Sequence, residues 1–393
     1  MNPFILNSES QEFISQNQNS DVASLIFKGS PIDGLDIKDL VEQIEAKIKC
    51  EKKLPTWFNC NLIYFPNKLN IEQTSSEITA KYKASLVEGD CIVDLTGGFG
   101  VDAFYFSKRF KSVIHCELNQ ELSTMVAYNY KQLGVYTIQA IPTDGLQFLK
   151  SFHKKIDWLY IDPSRRHDRK GKVFLLEDCL PNVPENLDLL FDHSNSIMIK
   201  TSPLLDISVG IKALKNVKTI HVVAVNNEVK ELIWILEKEA DNDVIVETVN
   251  IKSESEEHFK FNLDDESQLE PNLNLPLTYL YEPNSAILKS GGFNSVTAQL
   301  SLFKLHKHSH LYTNDELVSF PGRRFKILNT VPYQKKAIKK LGIHKANITT
   351  RNFPETVDQI RKKFDIKDGG HTFLFFTTNL KNEKVILECS KIK

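Results

Sequence analysis

Residues 91–106 read CIVDLTGGFGVDAFYF, an apolar run ending in Asp94, then the loop Thr96-Gly97-Gly98-Phe99-Gly100 and a second acid, Asp102. Glycines in such a loop let the backbone approach a ligand closely and take up positive φ. Further acids close later apolar runs: Glu117 in SVIHCE, Asp144 (followed by Gly145) in TIQAIPTD, and Asp162 in IDWLYID. Ligands of open α/β sheets sit at the carboxyl ends of the strands, where these acids fall. Glu117 stands 23 residues after Asp94, a spacing suited to the two hydroxyls of a ribose. Asp144 is placed to accept from an adenine amino group. The loop is G-G-x-G behind an Asp, not G-x-G-x-x-G, which argues against a nicotinamide dehydrogenase. A carboxylate at Asp94 repels a pyrophosphate and favours a cation such as the ammonium group of S-adenosylmethionine.

The elements that must hold these residues follow from the apolar pattern. Residues 1–85 predict a mainly helical region; Ile37, Leu40, Val41, Ile44 and Ile48 recur at three- and four-residue steps behind a capping Asp36. From 86 to 270, seven short apolar runs (CIVDL, SVIHCE, TIQAIPTD, IDWLYID, SIMIK, TIHVVAV, VIVETVNI) alternate with helix-like stretches. That pattern predicts an α/β domain with a mainly parallel seven-stranded sheet covered by helices. NNEVKELIWILEKEADND, between the last two runs, is expected to be an amphipathic helix, and the acidic segment 251–276 a loop or hairpin. Two small α+β domains are expected at 271–322 and 323–393, with a basic helix at PYQKKAIKKLGI and a closing β-hairpin at HTFLFFTTNLKNEKVILECSKI.

The five motifs resemble, in order, those of class I S-adenosylmethionine-dependent methyltransferases. DLTGGFGVDAF is similar to the glycine motif of RNA and DNA methyltransferases, notably the small-subunit rRNA guanine-N2 enzymes. CELNQEL, TDGLQFL and YIDPSRR resemble the acidic motifs of the next three strands. IEQTSSEITAKYKASLV resembles the segment that closes over the methionine end. The resemblance implies a Rossmann-like fold and cofactor contacts from Glu72, Gln73, Ser75, Asp94, Thr96, Gly97, Gly98, Phe99, Gly100, Asp102, Glu117, Leu118, Asp144, Gly145 and Asp162. The whole chain also resembles a bacterial group in which a domain with a D-P-[SA]-R-R motif precedes a ferredoxin-like and a THUMP-like domain. LYEPNSAILKSGG, FPGRRFKI and RNFPETVDQIRKKFDIKDGG carry that resemblance, which implies an RNA substrate (rRNA or tRNA).

Asp162, Pro163, Ser164, Arg165 and Arg166 stand where amino-group methyltransferases read (D/N)-P-P-(Y/F). The first two match; Ser164 replaces the second proline and Arg165 the aromatic. Arg165 can stack on a base as a planar cation, or grip phosphate with Arg166, Arg169, Lys170 and Lys172. Lys200, closing SIMIK, is a candidate pocket residue or a surface lysine. There is no Pro-Cys nucleophile of the cytosine C5 kind, and transfer to nitrogen needs positioning more than a strong base.

Residues 301–393 hold 19 Lys/Arg against 8 Asp/Glu, although the whole chain has a net charge of −1. A basic third suggests a polyanion partner, with Arg323, Arg324, Lys335, Lys336, Lys339 and Lys340 as candidate RNA contacts. His306, His308 and His310 alternate, so on a strand they would face one way and form a metal site; a polar or RNA-facing edge is the preferred reading, and no structural metal is expected. Phe373, Phe375 and Phe376 read as core. Six cysteines without a CxxC pair imply reduced thiols. With no secretory signal and no apolar run long enough for a bilayer, a cytoplasmic protein is expected. The sequence is expected to encode an RNA methyltransferase, with a base nitrogen as its target; the alternatives are a non-catalytic RNA-binding or assembly factor on the same scaffold and a methyltransferase of a non-RNA substrate. Oligomeric state is left open.

Overall fold

The computed structural model describes residues 1–165, 175–241 and 243–392. They form two compact units, residues 1–218 with 233–240, and residues 219–232 with 241–393.

The first unit opens with a short 3-10 helix, Pro3–Leu6, and six α-helices, α1 (Ser8–Gln16), α2 (Val22–Lys28), α3 (Ile37–Lys53), α4 (Pro55–Asn59), α5 (Lys68–Gln73) and α6 (Glu77–Ser85). Asp36 caps α3, accepting from the Lys38 amide, and Leu40, Val41 and Ile44 are buried against Ile5, Ile14 and Leu25. The alternation that follows is β1 (Gly89–Asp94), α7 (Val101–Phe106), β2 (Phe110–Cys116), α8 (Gln120–Gln132), β3 (Ile138–Ile141), α9 (Gly145–Ser151) and β4 (Trp158–Ile161). A short antiparallel pair, β5 (Ser164–Arg165) and β6 (Cys179–Leu180), leads to α10 (Val183–His193), β7 (Ser196–Thr201) and α11 (Ile207–Ala213). Strands β1, β2, β3, β4 and β7 pair in parallel. Ile92, Val93, Leu159, Ile161, Ile197 and Ile199 are fully buried, as strands covered on both faces require. Trp57 of α4 packs edge-on against Phe104 of α7, centroids 4.8 Å apart, so the helical region bears on the helix behind the glycine loop.

Strands β8 (Val217–Val225), β9 (Glu228–Glu237), β10 (Ile245–Ile251) and β11 (Glu256–Asn262) bring the sheet to nine strands, in the order β11-β10-β8-β9-β7-β4-β1-β2-β3. Two expectations are corrected. The sheet has nine strands rather than seven, and is mixed because β11 pairs antiparallel with β10. The segment read as an amphipathic helix is strand β9. Asn226 and Asn227 both take positive φ, 49° and 64°, the conformation of a type I′ hairpin turn. Leu232 to Leu236 are all buried, so no polar helix face exists.

The second unit continues with α12 (Leu263–Gln268), β12 (Tyr279–Pro283), α13 (Ser285–Ser290), α14 (Phe293–Leu300), β13 (Phe303–Lys304), β14 (Tyr312–Asn314), β15 (Gly322–Pro332), α15 (Lys335–Leu341), β16 (Asn347–Arg351), α16 (Val357–Phe364), β17 (Thr372–Thr378) and β18 (Lys384–Ile392). Its seven-stranded sheet runs β13-β14-β12-β15-β18-β17-β16. Phe375 and Phe376 are fully buried and Phe373 packs against the same core, as expected of them. Among the described residues no helix is long and apolar enough to cross a membrane.

Candidate functional site

From β1 the chain steps to β2 and β3 on one side, then to β4 and β7 on the other. The switch point lies between β1 and β4, the place where such sheets hold ligands. There a cavity of about 800 Å³ opens, lined by the glycine loop, the ends of β1 to β4, Asn70 and Gln73–Ser75, and Leu180–Asn182 with Glu185 and Asn186.

Asp94 ends β1 almost fully buried, its Oδ1 accepting from the Thr96 amide at 3.0 Å. Burial, then the neighbouring Asp102, Asp162 and Glu117, hold its pKa well above the usual carboxylate range, against one backbone hydrogen bond. The Thr96 hydroxyl accepts from the Asp162 amide at 2.7 Å, tying the loop to the end of β4. Glu117 grips the loop: its carboxylate accepts from the Gly98 amide at 2.8 Å and the Asn119 amide at 2.7 Å. Asp144 caps α9 through the Gln147 amide at 3.0 Å.

Two loop glycines have physical necessity. A Cβ on Gly97 would lie 2.3 Å from Nε2 of the buried His115 ring. Gly100 has φ +77°, and a Cβ there would fall 2.0 Å from the Tyr130 hydroxyl, which donates to the Gly100 carbonyl at 3.0 Å.

Asp102 sits in a buried polar knot. Its Oδ2 accepts from the Ser75 hydroxyl and from the Tyr160 hydroxyl, each at 2.8 Å, and its Oδ1 pairs with Lys83 at 3.1 Å. Lys83 has no exposed surface and also donates to Ser75 Oγ at 3.1 Å. Ser75 thus turns to Asp102, while the adjacent Ser76 caps α6 through the Thr79 amide. Asp162 accepts from Lys200 Nζ at 2.5 Å, although Lys200 itself is not part of the cavity lining.

Most sequence candidates converge on the cavity: Gln73, Ser75, Asp94, Thr96, Gly97, Gly98, Phe99, Asp102, Glu117, Leu118, Asp144, Gly145, Asp162 and Ser164 line it. Glu72 does not; it is exposed and paired with Lys49 on α3. Gly100 and Pro163 do not line it. Arg166, Arg169, Lys170 and Lys172 fall outside the described residues, as does the side chain of Arg165. The wall from Leu180 to Asn186 was not anticipated. Asn182 caps α10 and accepts from the Glu185 amide, which turns Glu185 and Asn186 toward the cavity; the only advance signal was the Asn-Val-Pro helix start.

The remaining candidates lie in the second unit. Arg323 and Arg324 are half-buried on β15, whereas Lys335, Lys336, Lys339 and Lys340 are exposed on α15 around the buried Ile338. His306 to His310 form a turn rather than a strand, with His310 at φ +51°. His306 is held by Asn352 at 2.9 Å and Asn382 at 3.1 Å, and no His/Cys/Asp/Glu group among the described residues is arranged to hold a metal. All six cysteines are free thiols.

A run of parallel strands, β1 to β4 and β7, that reverses order beside a glycine loop and a row of strand-end acids is the arrangement of the class I methyltransferase fold. Residues 322–391 match a family profile described as THUMP domain-like, and residues 279–321 one described as a ferredoxin-like domain. A crystal structure from Porphyromonas gingivalis W83, described as that of a candidate methyltransferase, is 31% identical, covers 98% of this chain and 97% of its own, and has a TM-score of 0.88. The chain belongs to the family of that protein, in which a class I methyltransferase fold carries ferredoxin-like and THUMP-like domains. SMU.1697c of Streptococcus mutans, described as a candidate methyltransferase in complex with S-adenosylhomocysteine, is 13% identical over 41% of this chain and 96% of its own, with a TM-score of 0.31. TrmK of M. capricolum, in complex with the same compound, is 16% identical over 42% of this chain and 70% of its own, at 0.33. Comparison with curated proteins gives no match.

Proposed function

We propose that this chain is an S-adenosylmethionine-dependent methyltransferase acting on RNA in the cytoplasm. The observation that carries the cofactor is charge. Six acidic side chains (Asp94, Asp102, Glu117, Asp144, Asp162, Glu185) line the cavity and no Lys or Arg among the described residues does; Lys83 and Lys200 pair with Asp102 and Asp162 from outside the lining, so the wall keeps an acidic excess. Such a surface repels nucleoside polyphosphates and attracts a ligand that is cationic at one end and uncharged at its nucleoside. Asp94 and the Gly97–Phe99 backbone would hold the amino-acid end, Glu117 the ribose hydroxyls, and Asp144 with Leu118 the base. Bound S-adenosylmethionine supplies an electrophilic methyl group on a sulfonium.

The chain's own task is then to present a nucleophile in line and keep water out. Asp162 is fixed by Lys200 and by the Thr96 contact, so its remaining acceptor capacity is aimed rather than mobile. Ser164 shares the lining, which suits an amine or ring nitrogen held between acceptors. The THUMP domain-like match and the excess of Lys and Arg beyond residue 300 support RNA as the substrate.

Isothermal calorimetry tests the cofactor: micromolar-range binding is expected, weakened at least tenfold by Asp94→Ala and abolished by Gly98→Asp. Mass spectrometry of nucleosides from RNA made with and without the gene tests the substrate, one methylated species being expected to disappear. A second reading, a non-catalytic RNA-binding or assembly factor, is favoured by Ser164 and Arg165 in place of Pro-aromatic. Cofactor binding with no missing nucleoside would select it. A non-RNA substrate would be selected by methyl transfer without salt-sensitive RNA binding.

A further inference from the structure

The glycine loop is a turn with each corner set against a buried ring. The Gly100 amide donates to the Gly97 carbonyl at 3.0 Å, closing four residues on themselves, and Gly98 takes φ +55° inside the turn. His115 lies under one corner, where a Cβ on Gly97 would meet its ring at 2.3 Å. Tyr130, 2% exposed on α8, lies under the other; its hydroxyl donates to the Gly100 carbonyl at 3.0 Å. The two rings stand nearly perpendicular, at 85°, with centroids 5.9 Å apart. Above them the loop amides are almost all spent. Thr96 donates to Asp94, Gly97 to the Cys116 carbonyl at 2.8 Å, Gly98 to Glu117, and Gly100 to Gly97. From Thr96 to Gly100, only the Phe99 amide has no partner among the described residues. It belongs to the middle peptide of the turn, which the closing bond leaves unused. Phe99 itself lines the cavity.

The Tyr130 hydroxyl is not needed to satisfy the Gly100 carbonyl, which also accepts from the Phe104 amide at 3.0 Å at the start of α7. What the hydroxyl adds is direction. A planar peptide moves as a unit, so the corners that hold the turn also set where the Phe99 N–H points. The cavity wall beside it is acidic, with no Lys or Arg among the described lining residues. An anionic group entering there depends on neutral donors such as this amide. We propose that Tyr130 is a positioning residue for the cofactor, holding the turn so that the Phe99 amide receives the carboxylate of the amino-acid end. The role rests on the S-adenosylmethionine reading. Tyr130 does not line the cavity; it acts through Gly100, while His115 supports the opposite corner by contact. A backbone N–H donating to a carboxylate is charge-assisted, so its direction carries more affinity than the neutral bonds within the turn.

The test uses the full chain and two ligands that differ in one group. S-adenosylhomocysteine carries the carboxylate; its decarboxylated analogue keeps the ammonium, the sulfur and the nucleoside. Calorimetry should show the unaltered chain preferring the first by about tenfold or more, the worth of a hydrogen bond to a charged group. In Tyr130→Phe that preference should fall to about twofold, through weaker S-adenosylhomocysteine binding, with affinity for the analogue nearly unchanged. A purely structural role for the hydroxyl would weaken both ligands alike, and that result overturns the proposal, as does an unchanged preference. Thermal melts establish that the variant is folded. Isotope-labelled phenylalanine amides, followed by NMR in the unaltered chain, read the contact itself. The Phe99 resonance, identified by its loss in Phe99→Leu, should move downfield with S-adenosylhomocysteine and not with the analogue. Equal shifts with both ligands overturn the assignment. If neither ligand binds the unaltered chain, the cofactor reading fails and takes this role with it; if both bind and the preference is untouched in Tyr130→Phe, only the positioning role falls.

Discussion

Asp94 combines near-complete burial with three neighbouring carboxylates, and its ligand is argued to be a cation. Cation binding favours the ionised form, so binding should release a proton and weaken as pH falls through the raised pKa of Asp94. Calorimetry in buffers of different ionisation enthalpy measures that release; heats independent of buffer would remove Asp94 from the ammonium site. His115, under Gly97, carries the converse linkage. Its pKa, and those of His221 and His310, are lowered to about 4 by burial, so the unfolded chain binds more protons between pH 4 and 6.5. Stability present above pH 6.5 is therefore lost as pH falls through that window. Denaturant midpoints should decline from pH 7 to 4.5, less steeply in His115→Gln if that ring contributes. Gly97→Ala should cost about 1–3 kcal/mol of stability, because its methyl meets that ring. These residues show what a sequence can and cannot disclose. Acids at strand ends carry a chemical type and a spacing, so the acidic wall of the cavity was legible. Lys83 was not, because a lysine on a short helix reads as a surface residue until tertiary contact buries it beside Asp102.

Among the elements, seven apolar runs became β1, β2, β3, β4, β7, β8 and β10, since buried parallel strands announce themselves by unbroken hydrophobicity. Strand β9 was misread because ELIWILE, flanked by Lys and Glu, satisfies a helical repeat as well as a strand. The local clue was Asn226-Asn227, whose side chains tolerate positive φ. Asn226→Gly should therefore leave stability nearly unchanged, whereas Asn226→Val should cost about 1–3 kcal/mol. Equilibrium denaturation with unchanged m-values would distinguish this from loss of two-state folding. The LHKHSH segment failed as a strand for a related reason: alternation alone does not register the turn at Ser309 and His310.

Taken whole, the molecule separates charge along its chain. An acidic cavity lies in the first unit, and the basic helix α15 in the second. Changing Lys335, Lys336, Lys339 and Lys340 together to Glu should lower tRNA affinity at least tenfold and flatten its dependence on salt, with cofactor binding unaltered. Filter binding across a salt series reads this directly, and an unchanged slope would exclude α15 from the interface.

The knot of Ser75, Lys83, Asp102 and Tyr160 bears on where this protein can be cut. Two of its members, Ser75 and Lys83, lie before β1, in the helical stretch that precedes the sheet. A chain trimmed to begin at residue 86 would leave Asp102 buried without its ammonium and Tyr160 without half its hydrogen-bonded cluster. Removing one partner of a buried ion pair costs about 3–5 kcal/mol, a large part of the stability of an ordinary domain. The smallest independently folding catalytic fragment should therefore start upstream of the segment that holds Ser75.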